Sequence, residues 1–276
     1  MSQPSRGSLD HHLSLNHRLS RRRRFVMRLH RFIIQTKKRL GLRHFIIWFE
    51  KQIPAHSSVG TDPLIPHGKF PWAGTLEHDW RQIRDELDGM MTHYEALPNM
   101  QDISAEQEHL TQDDKWKSFF FVGFRERVEG NCRLCPKTAA LLENIPGVTT
   151  AFFSILGPGK HLAPHTGIYR GVVRYHLALK VPDDPSTCAI RVSDEVVHWS
   201  EGTGFFFDDT YEHEAWNKSS DVRVVLLLDI IRPLSFPYSL INKAIIYAIA
   251  QTRFVRDAKT KHEAWERKFE QVLSGK

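Results

Sequence analysis

Three things are scarce in this chain: cysteine, long apolar runs and, past residue 51, any excess of positive charge. Three cysteines in 276 residues, Cys132, Cys135 and Cys188, are too few for a disulfide framework and fit a reducing cytoplasm. Cys132-Arg-Leu-Cys135 lacks the second close pair that a four-ligand zinc site needs, so packing is its expected role. No stretch reaches the roughly 18–20 apolar residues of a membrane-spanning helix. Charges interrupt the first apolar stretch every few positions, which argues against a signal peptide. The net charge of +6 is unevenly spread. Residues 1–51 hold thirteen Lys/Arg against two acids, whereas residues 52–276 carry a small negative balance. A basic arm on a mildly acidic body is a weak signal for nucleic acid, and none is expected as a partner.

The chain reads as four regions. Residues 1–51 form the arm: a polar, His/Ser-rich stretch to residue 20, expected to be disordered, then a basic amphipathic helical pattern over 21–50. Phe25, Val26, Leu29, Phe32 and Ile33 share one face of that pattern and basic residues the other. Such a helix suits peripheral contact with an anionic membrane, on its inner face for a cytoplasmic protein; packing on the body is the alternative. Residues 52–115 read as a Pro/Gly-rich linker followed by a helical lead-in over 76–97. Residues 116–233 carry the strand signals, at 116–124, 149–156, 171–181, 188–193, 195–199, 204–207 and 222–231, with Gly/Pro turns between them. A short helix is expected over 136–144, opened by Pro136. Residues 234–276 turn helical again, with Leu240, Ile241, Ala244, Ile245, Ala248 and Ile249 as an apolar stripe. Many short strands flanked by helices imply a mainly β sandwich or jelly roll.

Alternation along the strands brings polar groups onto one face. Val172, Arg174, His176 and Ala178 share a face, opposed by Val173, Tyr175, Leu177 and Leu179. Arg223, Val225, Leu227 and Asp229 share another, and Ser154 sits with Phe152 and Leu156. Charges are rarely buried without a partner, so each arginine meets an anion. That anion is either a bound carboxylate or a protein acid, for instance Asp208 or Asp209 against Arg223. His165 follows Gly-Pro-Gly and Pro164, and His213 follows the Asp208-Asp209 turn. Neutral imidazole suits iron, and the pair together with the arginines favours a metal with an acidic cosubstrate. A facial triad usually adds a carboxylate two residues after the first histidine; here that position is Gly167.

These residues carry a resemblance. Cys135-Pro-Lys-Thr138, the Pro158-Gly159 stretch ending at His165, Arg174-Tyr-His176, Phe207-Asp-Asp209, and His213 with Arg223 ten residues on resemble the motifs of the aspartyl/asparaginyl beta-hydroxylase family. The likeness runs from about Trp116 to Pro233 and fades back to Lys69-Phe-Pro71. Its members are Fe(II)/2-oxoglutarate oxygenases with a double-stranded β-helix core. The resemblance implies that His165 and His213 ligate Fe(II) and serve as the catalytic pair. It implies that Ser154, Arg174, His176 and Arg223 contact 2-oxoglutarate, Arg223 at the distal carboxylate, and that O2 is the oxidant. The Gly167 departure is shared with the protein-hydroxylating branch and counts towards a protein-like substrate. The basic arm and the apolar helix near the C-terminus count towards a lipid acyl chain, the substrate of bacterial members. The expected reaction is hydroxylation of a C–H bond beside a carbonyl, in an acyl chain or an Asp/Asn side chain. A catalytically silent barrel that binds an acidic ligand is the alternative.

Overall fold

The computed structural model describes residues 42–103, 110–252, 260, 261, 264–267 and 269. The expectations for residues 1–41, and for most of the tail beyond 252, lie outside the described residues.

The lead-in is helical. It comprises α1 (Leu42–His56), α2 (Ala73–His78), α3 (Trp80–Met91) and the single turn α4 (Met100–Ile103). Further on come α5 (Glu129–Leu134), α6 (Pro136–Glu143) and, after the last strand, α7 (Tyr238–Ala250). The strands are β1 (Leu64–Ile65), β2 (Trp116–Gly123), β3 (Glu126–Arg127), β4 (Val148–Leu156), β5 (His161–His165), β6 (Val172–Lys180), β7 (Cys188–Val192), β8 (Glu195–His198), β9 (Gly204–Phe207), β10 (His213–Asn217) and β11 (Arg223–Ile231). They form a larger antiparallel sheet, β1-β9-β6-β11-β4-β2-β3, and a smaller one, β5-β10-β7-β8. From β4 to β11 the chain passes back and forth between the two sheets, the β7–β8 hairpin apart, which is the double-stranded β-helix. The chain is mainly β with flanking helices.

Period-two patterning decides what each face of the larger sheet meets. Val173, Tyr175, Leu177 and Leu179 of β6 and Val224, Leu226 and Leu228 of β11 pack outward with Phe119, Phe121 and Phe153, against Ile83 and Leu87 of α3 and Leu142 of α6. Phe269, from the tail, is buried in the same cluster. The opposite face puts Phe152, Leu156, Ala178, Phe207, Val225 and Leu227 against Leu162, Cys188, Ile190, Val192 and Ala215 of the smaller sheet. The inward and outward sets on β6 and β11 are those the alternation predicts.

Three sequence expectations change. The arm does not end at residue 51, because α1 runs through it to His56 and buries Ile46, Phe49 and Ile53 against Ile245 and Ile246 of α7. Pro54 sits in the last turn of α1, where few hydrogen bonds are lost to it. The supposed linker is partly core, with Val59, Ile65, Phe70 and Ala73 buried. On α7 the buried residues are Asn242, Ile245 and Ile246, so Leu240, Ala244 and Ala248 of the predicted stripe face outward. That helix is apolar around most of its circumference.

Two motifs prove structural. Lys137 and Thr138, at the start of α6, hold the Glu86 carboxylate of α3 through both backbone N–H groups (2.8 Å each) and the Thr138 hydroxyl (2.7 Å). Cys132 and Cys135 are free thiols buried in the outer cluster, the packing role expected of them. In the Asp208-Asp209 pair, Asp208 accepts from Arg232 at 2.7 Å, and neither side chain has any exposure. Removing one partner strands the other charge in the interior. Asp208→Ala should therefore lower stability by about 3–5 kcal/mol, read as a fall in the urea midpoint at unchanged slope.

Candidate active site

β5 and β10 are neighbours in the smaller sheet, and their register sets His213 opposite His165. The ring centroids lie 4.1 Å apart with planes at 53°. His165 Nδ1 is 2.8 Å from the Ala163 carbonyl and His213 Nδ1 is 2.9 Å from the Tyr211 carbonyl. A carbonyl oxygen only accepts, so each Nδ1 donates and each neutral ring carries its lone pair on Nε2. Two adjacent imidazoles fixed in the same tautomer by carbonyls are the donor arrangement of a metal site. Burial, helped by the nearby His165 and Arg174, pushes His213 down to about 3, so it is neutral at neutral pH. The residues fit a divalent iron ion. Among the described residues, no third His, Cys, Asp or Glu joins the two rings in a ligand cluster.

The position of the missing carboxylate is filled by another residue. A Cβ on Gly167 would lie 2.4 Å from Cγ of Asp209, far inside contact distance. The Gly167 N–H also donates to the Asp209 backbone carbonyl at 2.6 Å. The loop that leaves His165 is thus pressed against the turn that leads to His213. Asp209 is buried and pairs with Arg174 (Nη2 to Oδ2, 3.2 Å), while its Oδ1 has no hydrogen-bond partner. Burial raises its pKa to about 6 against the pull of Arg174, with Asp229 and Asp208 adding to the rise.

Deeper between the sheets lies a set of polar atoms without partners. Arg223 is 2% exposed and no carboxylate among the described residues pairs with it. Its guanidinium lies over the Trp199 ring at 4.4 Å and beside the Cys188 thiol, and donates Nη1 to the Ser154 carbonyl at 3.2 Å, while Nε has no acceptor. Burial pushes Arg223 down to about 10 against the influence of Cys188, which leaves it charged at neutral pH. His176 is buried with neither ring nitrogen hydrogen-bonded, and burial, then Arg223, Arg174 and His213, holds it well below the usual histidine range. Trp199 Nε1 and the Ser118 hydroxyl are also without partners. The Ser154 hydroxyl accepts from Trp116 Nε1 at 3.1 Å, so its own proton points elsewhere. Rings link the two ends of this space: Trp199 to His176 (6.1 Å), His176 to Phe207 (5.1 Å), Phe207 to His213 (5.6 Å).

The fold therefore gathers His165, His213, Ser154, His176 and Arg223 along one interior. Arg174 is different. It forks onto Asp229, its cross-strand neighbour, at 2.7 and 3.0 Å and also reaches Asp209. Its anion is supplied by the protein. The Asp208 and Asp209 carboxylates raised as partners for Arg223 belong instead to Arg232 and Arg174. Sequence reasoning missed Trp199 and Cys188 as site residues, and it read Asp209 as a partner for Arg223 rather than as the group packed against Gly167. Trp199 and Cys188 carried no sequence signal, because they meet Arg223 only across the sandwich.

Because Asp209 occupies the volume beside Gly167, an acid there cannot complete a triad. Gly167→Ala should cost about 1–3 kcal/mol, the usual penalty of overpacking, as read by urea denaturation. Gly167→Asp should bind Fe(II) no more tightly than the parent protein in a metal titration.

Known proteins resemble this chain. The aspartyl/asparaginyl beta-hydroxylase family profile matches residues 77–233. An ornithine lipid ester-linked acyl 2-hydroxylase of Rhizobium tropici is 42% identical over 224 residues, covering 81% of this chain and 80% of that protein. A human aspartyl/asparaginyl beta-hydroxylase is 35% identical over 164 residues, covering 58% of this chain but 21% of that longer protein. Among solved structures, a viral collagen prolyl hydroxylase in complex with 2-oxoglutarate overlaps 43% of this chain and 79% of that one, at 12% identity and a TM-score of 0.30, too slight an overlap to bear on function. With paired histidines, a sealed arginine and more than half its length matching one profile, this chain belongs to the aspartyl/asparaginyl beta-hydroxylase family.

Proposed function

We propose that this chain is an Fe(II)/2-oxoglutarate-dependent dioxygenase that hydroxylates the carbon beside the carbonyl of a membrane-lipid acyl chain, working on the inner face of the membrane. One observation carries the reading: Arg223 is a buried guanidinium without a carboxylate, at the far end of the interior that begins at the histidine pair. A buried charge without a partner is costly, and a dicarboxylate bound in that space offsets the cost. The acyl-lipid substrate is supported by the 42% identical relative, whose name records an ester-linked acyl chain. An Asp/Asn side chain is the second reading, favoured by the Gly167 position without an acid and by the 35% identical human relative.

Each residue has a task in this reading. His165 and His213 hold Fe(II) through Nε2, and the Ala163 and Tyr211 carbonyls fix the ring orientations. The bound iron, with 2-oxoglutarate and O2, supplies the oxidising chemistry, as cofactors carry reactions that side chains cannot. Arg223 and the Ser154 hydroxyl grip the distal carboxylate, the guanidinium fork setting its plane. The neutral His176 donates one N–H to the cosubstrate. Arg174, held by Asp229 and Asp209, braces the turn that leads to His213. Phe207, Val225 and Leu227 wall the space and exclude water.

The test is succinate release from 2-oxoglutarate by purified full-length protein with Fe(II), offered either vesicles of an acylated aminolipid or an Asp/Asn peptide. Release with the lipid and a product heavier by one oxygen is the expected result; turnover with the peptide alone would replace the substrate, and turnover with neither would favour a silent binding module. His165→Ala should abolish substrate-dependent release. Arg223→Leu should raise the KM for 2-oxoglutarate by about 30-fold or more, since breaking a buried hydrogen-bonded charge contact costs about 2–5 kcal/mol. An unchanged KM removes Arg223 from the cosubstrate site.

A further inference from the structure

Exposed apolar side chains are concentrated on one part of this protein. Seven of the nine large hydrophobics exposed among the described residues lie on α1, α7, the turn before α7, or the loop after His165. On α1, Phe45 (41% exposed) and Trp48 (47%) sit one turn apart with ring centroids at 5.7 Å. On α7, Leu240 (57%) and Tyr247 (59%) sit two turns apart on one face. Phe236 is 79% exposed and Ile168 is 53% exposed. The inner faces of the two helices are satisfied, packing on each other and on Tyr169 and Leu234. Scattered surface hydrophobics are ordinary, whereas a concentration of them marks an interaction surface.

This platform is tied to the active site. Tyr169 is four residues past His165 and donates its hydroxyl to Asn242 of α7 at 2.8 Å. Asn242 in turn donates to the Gly171 carbonyl at 2.8 Å. The segment between the iron-facing histidine and β6, which bears Ile168, is thereby clamped to α7. The platform's charge is one-sided. Over its thirteen residues α7 has a single charged residue, Lys243, and α1 has one acid, Glu50. The chain that reaches α1 from its N-terminal side is strongly basic, residues 1–41 holding eleven Lys/Arg against one acid. A second copy docking here would bring two such arms together, and the platform lacks the acids to seat its own arm. An anionic lipid surface satisfies both features, taking aromatic and aliphatic side chains into its interface and the basic arm onto its headgroups. No described helix is long and apolar enough to cross a membrane.

We propose that the outward faces of α1 and α7, with Phe236 and Ile168, form a docking platform for an anionic bilayer that brings the His165 loop to the lipid surface. The proposal rests on the acyl-lipid reading for its purpose, and its binding test requires no turnover. Full-length protein is floated with vesicles of phosphatidylglycerol and phosphatidylcholine in equal parts, which contain no aminolipid. The double substitution Trp48→Ser, Leu240→Ser should weaken binding at least tenfold. Trp48→Phe, which keeps an interfacial ring, should stay within about twofold of the parent protein. Circular dichroism and a parallel Fe(II) titration show that the double variant is folded. Hydrogen exchange in α1 and α7 should slow only when vesicles are added.

Equal flotation of the parent and the folded double variant would overturn the platform. So would equal exchange in these helices with and without vesicles, which would mean that the arm or a second copy already covers them; light scattering separates those two. If flotation depends on the platform while only the Asp/Asn peptide is hydroxylated, the docking surface stands and the lipid substrate falls.

Discussion

Arg223 sets the strongest constraint on this structure. A guanidinium sealed between two sheets, stacked on Trp199 and hydrogen-bonded to the Ser154 carbonyl but to no carboxylate among the described residues, is an unfinished interaction. Proteins seldom leave such a charge without a counter-ion, because desolvation costs several kcal/mol that nothing else in the site returns. The surrounding atoms are unfinished in the same way: both nitrogens of His176, the indole N–H of Trp199 and the hydroxyl of Ser118. Clustered unsatisfied groups in an otherwise well-paired interior point to a ligand with acceptor oxygens. The histidine pair lies at the other end of the same chain of rings.

The other two arginines in this part of the fold show how charge is allotted. Arg232 takes Asp208, and Arg174 takes Asp229 and Asp209, so every nearby carboxylate is already committed. These pairs have a second effect. Asp208 and Asp209 sit on the turn into β10, and their ion pairs hold that turn, and so His213, against the larger sheet. Gly167 closes the arrangement from the β5 side, since its bare Cα admits the Asp209 carboxylate. The relative placement of His165 and His213 is therefore set by ion pairs outside the pair itself, as supporting interactions around metal sites commonly do.

Much of this was legible in the sequence. Period-two alternation on β6 and β11 assigned inner and outer faces, because those strands are buried on both sides and the irregularities in β11 fall near its ends. The histidines and the Arg-Tyr-His stretch were visible as polar residues where apolar ones are expected. The two strands that bear the histidines were not seen. His161-Leu-Ala-Pro-His165 reads as a loop, yet it is an edge strand, where Pro164 is tolerated because one side of the ladder is unpaired. His213-Glu-Ala-Trp-Asn217 is too polar to stand out, since its outward residues meet solvent and arginine rather than core. The stripe on α7 was legible as apolar, but which part of it faces the body was not, because the helix is apolar nearly all round.

By itself the sequence determined the strand faces, the identity of the metal-ligand candidates and the absence of an acid at position 167, since each depends only on residue type and local periodicity. Tertiary structure alone decided which arginine is left without a carboxylate among the described residues. Arg174 and Arg223 look alike in sequence, each an inward guanidinium on a buried strand. Packing sets Asp229 across the ladder from one and Trp199 under the other, and no local pattern records contacts made between residues so far apart in the chain.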